Sequence, residues 1–234
     1  MLRGYLVSSS TDRTNYLMKR VYCKKILFYR MNFEDPYEYL KYIIFDLTQI
    51  SPEEWRDFSS KWHSGVVAKN EFIIKQGQIE RYFYFVNNGV LRAYTLNQGT
   101  EVSIGFSYNG EYSGAYDSFL GQSPSDWNMQ AIVDTDFLRI GFSDMMEMYD
   151  KYKSIERWGR LFNAKMLIGM GKRQVESRNY SVEERFDRLF NQSPHIFQLV
   201  PQKHLASYLG MTPETFSRLR RLKLQNKGSS PNLI

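Results

Sequence analysis

Between Gln202 and Lys223 the chain reads "QKHLASYLGMTPETFSRLRRLK". It sets one carboxylate, three arginines and several hydroxyls within a few residues of one another. Arg218 lies one helical turn beyond Glu214. An arginine offers paired donors to the O6 and N7 of guanine, and a glutamate accepts from the N4 amino group of cytosine. Arg221, Lys223 and the hydroxyls of Thr212 and Thr215 suit phosphate oxygens instead. Ser217 shares the outer face, and Gln202, at the start of the stretch, completes the candidate DNA contacts. Such chemistry needs a helix presented to a major groove, and the apolar residues specify one. Leu205, Ala206 and Leu209 face inward from a first helix, and Ala206 is small where a second helix must cross it. Gly210 makes the turn, in which a left-handed backbone is easiest without a Cβ. Thr212 then caps a second helix that begins at Pro213 and returns Phe216 and Leu219 to the shared core. This is a helix-turn-helix pattern. A plain antiparallel helix pair would need neither the alanine nor the glycine at those points.

The elements upstream must hold and pair this device. From Glu71 to Ile140 short runs rich in Tyr, Phe, Val and Ile are broken at Gly77, Asn88-Gly89, Gly99 and Asn109-Gly110. Five to eight strands at that spacing predict a β-sandwich or closed roll, with hairpins at the Asn-Gly pairs. Before it, "SPEEWRDFSSKW" predicts a short helix capped by Ser51 with Pro52 at its first position, and Trp55, Phe58 and Trp62 recur at helical spacing over the roll. After it, Asp144–Ser177 reads as one helix. Leu161, Ile168 and Val175 repeat every seven residues, with the small Ala164 and Gly171 between them, which predicts a two-helix dimer seam. Phe162, Met166 and Met170 form a second apolar stripe, expected to pack on the roll.

Composition bounds the remaining choices. With 234 residues, 42% hydrophobic and 16% aromatic, the chain can bury a real core. No apolar run is long enough to span a bilayer, so the expectation is a cytoplasmic protein with no membrane partner. Cys23 is the only cysteine, which excludes a cysteine-ligated zinc or iron–sulfur site. The net charge of +6 is uneven. Residues 1–30 hold seven Lys and Arg against Asp12, residues 196–234 hold six against Glu214, and residues 31–195 carry −5. Basic ends on an acidic body point to a polyanion. The first thirty residues, with hydroxyl-rich "SSSTDRT" and no sustained period, read as a basic extension upstream of a start at Met31. A transit peptide or a DNA-binding arm are the other options for them. A metal-dependent β-roll enzyme would need histidines with acids on neighbouring strands, and Glu71–Ile140 contains no histidine. No catalytic residue, metal ligand or cofactor is therefore assigned.

A roll, a long seam helix and a terminal helix-turn-helix together resemble the bacterial Crp–Fnr family of transcription regulators. Two stretches carry the likeness: "VPQKHLASYLGMTPETFSRLRR", Val200–Arg221, and "GEYSGAYDSFLGQSPSDWNMQAIVDTDFLRI", Gly110–Ile140, which lies without gaps on the family's phosphate-binding cassette. The resemblance implies an α+β chain. A cyclic-nucleotide-binding β-roll with its N-terminal helix would occupy residues 31–142, a dimerisation helix 143–180 and a helix-turn-helix domain 181–234. It also implies a homodimer on double-stranded DNA, with RNA polymerase as a further partner and a small-molecule effector left open. The family's base-reading Glu and second Arg fall at Glu214 and Arg218, but its first reading Arg falls at Pro213. The Glu that holds the ribose in cyclic-AMP binders is Ala115 here, and the Arg-Ser pair that holds the phosphate is Ser125-Asp126. No Ser or Thr occurs between Ser154 and Ser177 to contact a base from the dimer helix. The single cysteine excludes the iron–sulfur sensor, and His63 as the only histidine before His195 argues against haem. Tyr112, Tyr116, Asp117 and Trp127 complete the cassette set, either as a small pocket or as ordinary turn and core packing. "NKGSSPNLI" does not read as the strand pair of a wing. The alternative to a DNA-binding regulator is an effector-binding module that acts through protein contacts.

Overall fold

Acid or serine followed by proline starts the first two helices of the structure, a computed structural model that describes residues 33–228. The expectations for residues 1–30, for the start at Met31 and for the tail from Ser229 lie outside the described residues. Asp35 caps α1 (Pro36–Phe45) by accepting from Tyr37 N at 2.8 Å. Ser51 caps α2 (Pro52–Ser60) in a reciprocal box with Glu54. Only the second helix was expected; the first carries the equivalent signal, Asp35 before Pro36. Phe58 and Trp62 are buried as predicted, with Trp62 two residues past the helix end.

Eight strands follow: β1 (His63–Val67), β2 (Phe72–Ile74), β3 (Tyr82–Asn88), β4 (Val90–Asn97), β5 (Thr100–Tyr108), β6 (Tyr112–Ser113), β7 (Asn128–Ala131) and β8 (Thr135–Gly141). They form two antiparallel four-stranded sheets, ordered β1-β8-β3-β6 and β2-β7-β4-β5. The Asn-Gly pairs do not make hairpins within a sheet. Asn88-Gly89 and Asn109-Gly110 are corners at which the chain changes sheet, and they bond to each other, Gly89 N donating to Asn109 Oδ1 at 2.9 Å. A Cβ at Gly89 would stand 2.3 Å from Thr135 Oγ1, so the corner depends on glycine. The tight hairpin is Gln98-Gly99, between β4 and β5, where Asn97 pairs with Thr100. Short α3 (Tyr116–Gly121) sits between β6 and β7.

The single helix expected over Asp144–Ser177 is two, α4 (Phe142–Lys151) and α5 (Lys153–Asn179). Tyr152 is extended at the break (φ −128°, ψ 113°), and its hydroxyl donates to Asp57 Oδ2 at 2.8 Å, as does Lys151 Nζ at 2.6 Å. The anchor on α2 thus fixes where the chain turns off the roll. Met145 and Met148 bury α4, while Ile155, Trp158 and Phe162 bury only the first turns of α5. From Asn163 to Val175 every residue of α5 is exposed. Phe162 packs as expected, but Met166 and Met170 are exposed and do not reach the roll.

Helices α6 (Val182–Gln192), α7 (Ile196–Leu199), α8 (Gln202–Leu209) and α9 (Pro213–Gly228) complete the described chain. A second capping box, Ser181 with Glu184, starts α6. Phe186, Phe190, Phe197, Leu205, Ala206, Leu209 and Phe216 share one core with Val90 and Ile132 of the roll. Ser207 seals the junction: its hydroxyl accepts from Ser103 N at 3.0 Å and donates to the Glu101 carbonyl at 3.2 Å.

Candidate nucleic-acid interface and cassette

Helix α8 ends in a Schellman turn. Met211 N donates to the Ala206 carbonyl at 3.0 Å and Gly210 N to that of Ser207 at 3.1 Å, with Gly210 left-handed (φ 71°, ψ 40°). Thr212 Oγ1 then accepts from Thr215 N at 3.3 Å and opens α9. Ala206 is fully buried, and Phe216 stacks on Phe197 and meets Phe186 edge-on. A helix whose buried position is Phe216 must turn its other side to solvent, and Glu214, Ser217, Arg218 and Arg221 are all exposed there. Their spacing of three, four and seven residues puts them on one strip. The Glu214 carboxyl is held below the usual carboxylate range by hydrogen bonds from its own backbone N–H and the Thr212 hydroxyl, so it stays an acceptor. Gln202 is exposed in the first turn of α8.

Three assigned contacts have partners within the chain. Lys223 is on the Phe216 side of α9 and pairs with Asp187 of α6 at 2.8 Å. Its helical phase, half a turn from Glu214, would have shown this. Thr212 and Thr215 bond to each other through their hydroxyls as part of the cap. Arg220, left out of the assigned set, lines a shallow groove with Ser217 and Arg221. Arg218 lies 3.8 Å from Glu183, with both side chains more than half exposed, so this pair is weak and easily exchanged.

On α5 the residues expected at a dimer seam, Ala164, Ile168, Gly171 and Val175, are exposed and Leu161 is half-buried. Leu167 (71% exposed) and Met170 (63%) widen the apolar face. An apolar stretch of this size on one helix is unusual for a free surface.

The cassette residues do not converge on one space. Tyr112 stacks on Phe83 at 5.2 Å and meets Trp158 and Phe162 of α5. Tyr116 meets Phe162 and donates to Asn163 Oδ1, so both tyrosines couple the cassette to α5. Ala115 is buried, and with Trp127 it packs among Val67, Ile74, Tyr84 and Met129. The Ser125 hydroxyl is spent in its own turn, donating to the Trp127 carbonyl at 2.9 Å and accepting from Trp127 N at 3.2 Å. Asp117 and Asp126 are exposed.

The buried acid here is one that the sequence did not single out. Glu80, 2% exposed, lies in the β2–β3 loop, which is tied to the cassette by Gly77 N to the Ser125 carbonyl and Ser125 N to the Gln78 carbonyl, both at 2.8 Å. Its carboxylate accepts from Tyr82 N at 3.1 Å, from the Tyr84 hydroxyl at 3.4 Å and from Ala115 N at 3.4 Å. Burial outweighs these bonds and pushes its pKa up to about 7 from 4.5. The neutral form is therefore favoured by the fold. Its stabilising contribution is complete below about pH 4.5 and is lost as the pH rises through about 7. Glu80 alone should make the protein about 2 kcal/mol less stable at pH 8.5 than at pH 5.5. Urea unfolding at both values, with Glu80→Gln beside the natural chain, checks this. The variant should lose that part of the pH dependence, and an identical slope in both proteins would refute it.

Residues 65–152 match the family model described as a cyclic nucleotide-binding domain. No curated protein matches the sequence. Among solved structures, FixK2 from Bradyrhizobium japonicum is 21% identical, with 73% of this chain and 89% of that one covered at a TM-score of 0.63. The Catabolite Activator Protein of Thermus thermophilus is 20% identical over 82% and 91%, with a TM-score of 0.50. The c-di-GMP responsive global regulator CLP of Xanthomonas campestris is 15% identical over 79% and 96%, with a TM-score of 0.56. The chain therefore shares its fold with these proteins from roll to terminal helices, and the Crp–Fnr resemblance read from the sequence holds at the level of fold. Among the described residues no helix is long and apolar enough to cross a membrane.

Proposed function

We propose that this chain is a homodimeric, sequence-specific DNA-binding transcription regulator whose β-roll does not respond to cyclic AMP. The observation that carries the reading is the exposed strip of Glu214, Ser217, Arg218 and Arg221 on the second helix of a helix-turn-helix. A helix pair that served only packing would have no use for a carboxylate and two guanidiniums aligned at groove-reading spacing. The exposed face of α5 supplies the dimer, and RNA polymerase is the further partner such a role implies. A bacterial cytoplasm is the compartment that fits it. Selection of bound sequences from a random duplex pool tests the reading: enrichment of a two-half-site motif supports it, and an unenriched pool rejects it.

The cassette argues against a cyclic nucleotide. A cyclic phosphate near Ala115 would find no arginine at Ser125 or Asp126, a serine hydroxyl already bonded, and the Glu80 carboxyl facing the Ala115 N–H. Two or three charge-assisted hydrogen bonds are missing, each worth roughly 1.5–3 kcal/mol, so affinity should fall several orders of magnitude below a regulatory value. Calorimetry should show no heat at micromolar cyclic AMP, and a micromolar Kd would overturn this part. Any effector of this roll must be chosen by chemistry other than that of a cyclic phosphate. Signals from the cassette can reach α5 through Tyr112 and Tyr116.

A further inference from the structure

Where the C-terminal half of α5 meets α6 and α8, a cleft of about 100 Å³ opens between three guanidiniums, those of Arg173, Arg185 and Arg188. Glu176 is the only carboxylate in its lining, and it is committed: its Oε1 accepts from Arg188 Nε at 3.1 Å and from Arg188 Nη2 at 2.7 Å. Neither Arg173 nor Arg185 has an ion-pair partner among the described residues. Arg173 is not loose, because its guanidinium lies 3.7 Å over the ring of Tyr208 and so presents a flat edge of donors. Arg185 is held against the helix-turn-helix turn, with its terminal nitrogens 3.8 Å from where a Cβ of Gly210 would stand, and its buried Nε has no acceptor. Although Arg173 is exposed over part of its surface, desolvation of its guanidinium in the cleft pushes its pKa down to about 10 against the pull of Glu176, with the neighbouring Arg185 charge adding to the shift.

Two like charges held side by side, with unspent donors and only one committed carboxylate between three arginines, are stable partners for an oxyanion. Planar guanidiniums favour a phosphate, which accepts paired hydrogen bonds. The volume has room for a phosphate group, and the open mouth leaves the rest of a small molecule in solvent. We propose that this cleft is a binding site for the phosphate group of a small phosphorylated metabolite, clasped by Arg173 and Arg185. The site joins the dimer-seam helix to both helices that position α9. Its occupant would therefore fix the orientation of the DNA-contact strip to α5 by linking charges that otherwise repel.

Inorganic pyrophosphate is the direct probe, titrated into the full chain by calorimetry at constant ionic strength, with sodium chloride as the control. Binding at about millimolar Kd or tighter is expected, together with a higher thermal midpoint through mass action. Arg173→Gln and Arg185→Gln should each weaken binding about tenfold or more, and Arg218→Gln should leave it unchanged. Arg173→Lys, which keeps the charge but not the planar fork, should lose most of the affinity while remaining folded. Pyrophosphate binding that survives both glutamine variants, or no binding to the natural chain, would overturn the proposal. The same phosphate chemistry has a second source in the DNA backbone, which a duplex titration separates. If Arg173→Gln weakens duplex binding and reduces its salt dependence while pyrophosphate does not bind, the cleft serves DNA and the metabolite assignment fails.

Discussion

Ile168→Asp should convert the protein from a dimer to a monomer without unfolding the roll, and should weaken binding to a two-half-site duplex by about a hundredfold or more. Ile168 is 59% exposed in the middle of a helix face that also presents Ala164, Gly171 and Val175, with Leu167 and Met170 beside it. The glycines leave open space where a second helix can approach, since a Cβ at Gly169 or Gly171 would meet nothing within 4 Å. Putting a carboxylate at the centre of that seam, in both copies at once, buries two like charges without partners, a cost of several kcal/mol. The residue touches none of the roll core, so a cost to folding is not expected. A monomer engages one half-site and roughly half of the phosphates, which removes most of the affinity. Sedimentation equilibrium and anisotropy titration check the two halves. A variant that stays dimeric, or a natural chain that is already monomeric, would remove α5 as the seam.

Arg218→Ala should cost about 1–3 kcal/mol on the cognate duplex and relax the choice at one base pair, while binding to a scrambled duplex barely changes. The side chain stands on the exposed strip one turn beyond Glu214, and its 3.8 Å approach to Glu183 is solvent-exposed, so releasing it for a guanine costs little. Arg221→Ala should weaken all duplexes alike and flatten the salt dependence, as expected for a phosphate contact. That role passes to Arg221 because Lys223 is turned toward α6 and paired with Asp187. Lys223→Ala should accordingly affect stability slightly and DNA binding little. Parallel titrations of the three variants on cognate and scrambled duplexes settle the division. Equal losses for Arg218→Ala on both duplexes would remove its base-reading role.

Legibility followed how local the cause was. Gly210, Thr212, Pro213 and Phe216 fix their conformations within a turn or two, and the helix-turn-helix could be read residue by residue. Ser51-Pro52 was clear for the same reason. The helix break at Tyr152 was not, because its cause is Asp57, almost a hundred residues away, which draws in both Lys151 and Tyr152. Asn88-Gly89 and Asn109-Gly110 advertise tight turns, but whether a turn closes a hairpin or crosses between sheets depends on pairings set elsewhere. Period rather than charge governs Lys223: its phase on the helix matches Phe216, which turns it toward Asp187 of α6. Glu80 gave no local signal at all. A lone glutamate before a strand reads as surface, and only the fold of the cassette over the β2–β3 loop buries it. The guanidinium cleft is equally invisible in the chain order, since Arg173, Arg185 and Tyr208 come from three helices.

The most direct test is fluorescence anisotropy of the full chain on a duplex enriched by selection, against a scrambled duplex of equal length and composition, from 50 to 300 mM salt. A dimeric regulator reading base edges through α9 should bind the selected duplex about a thousandfold or more tighter than the scrambled one. Log affinity should fall linearly with log salt on both duplexes, and the preferred half-sites should lie about one helical turn, roughly 34 Å, apart. Equal affinity for the two duplexes across that salt range, or no binding to either, would contradict the assignment of α9 as a DNA-reading helix.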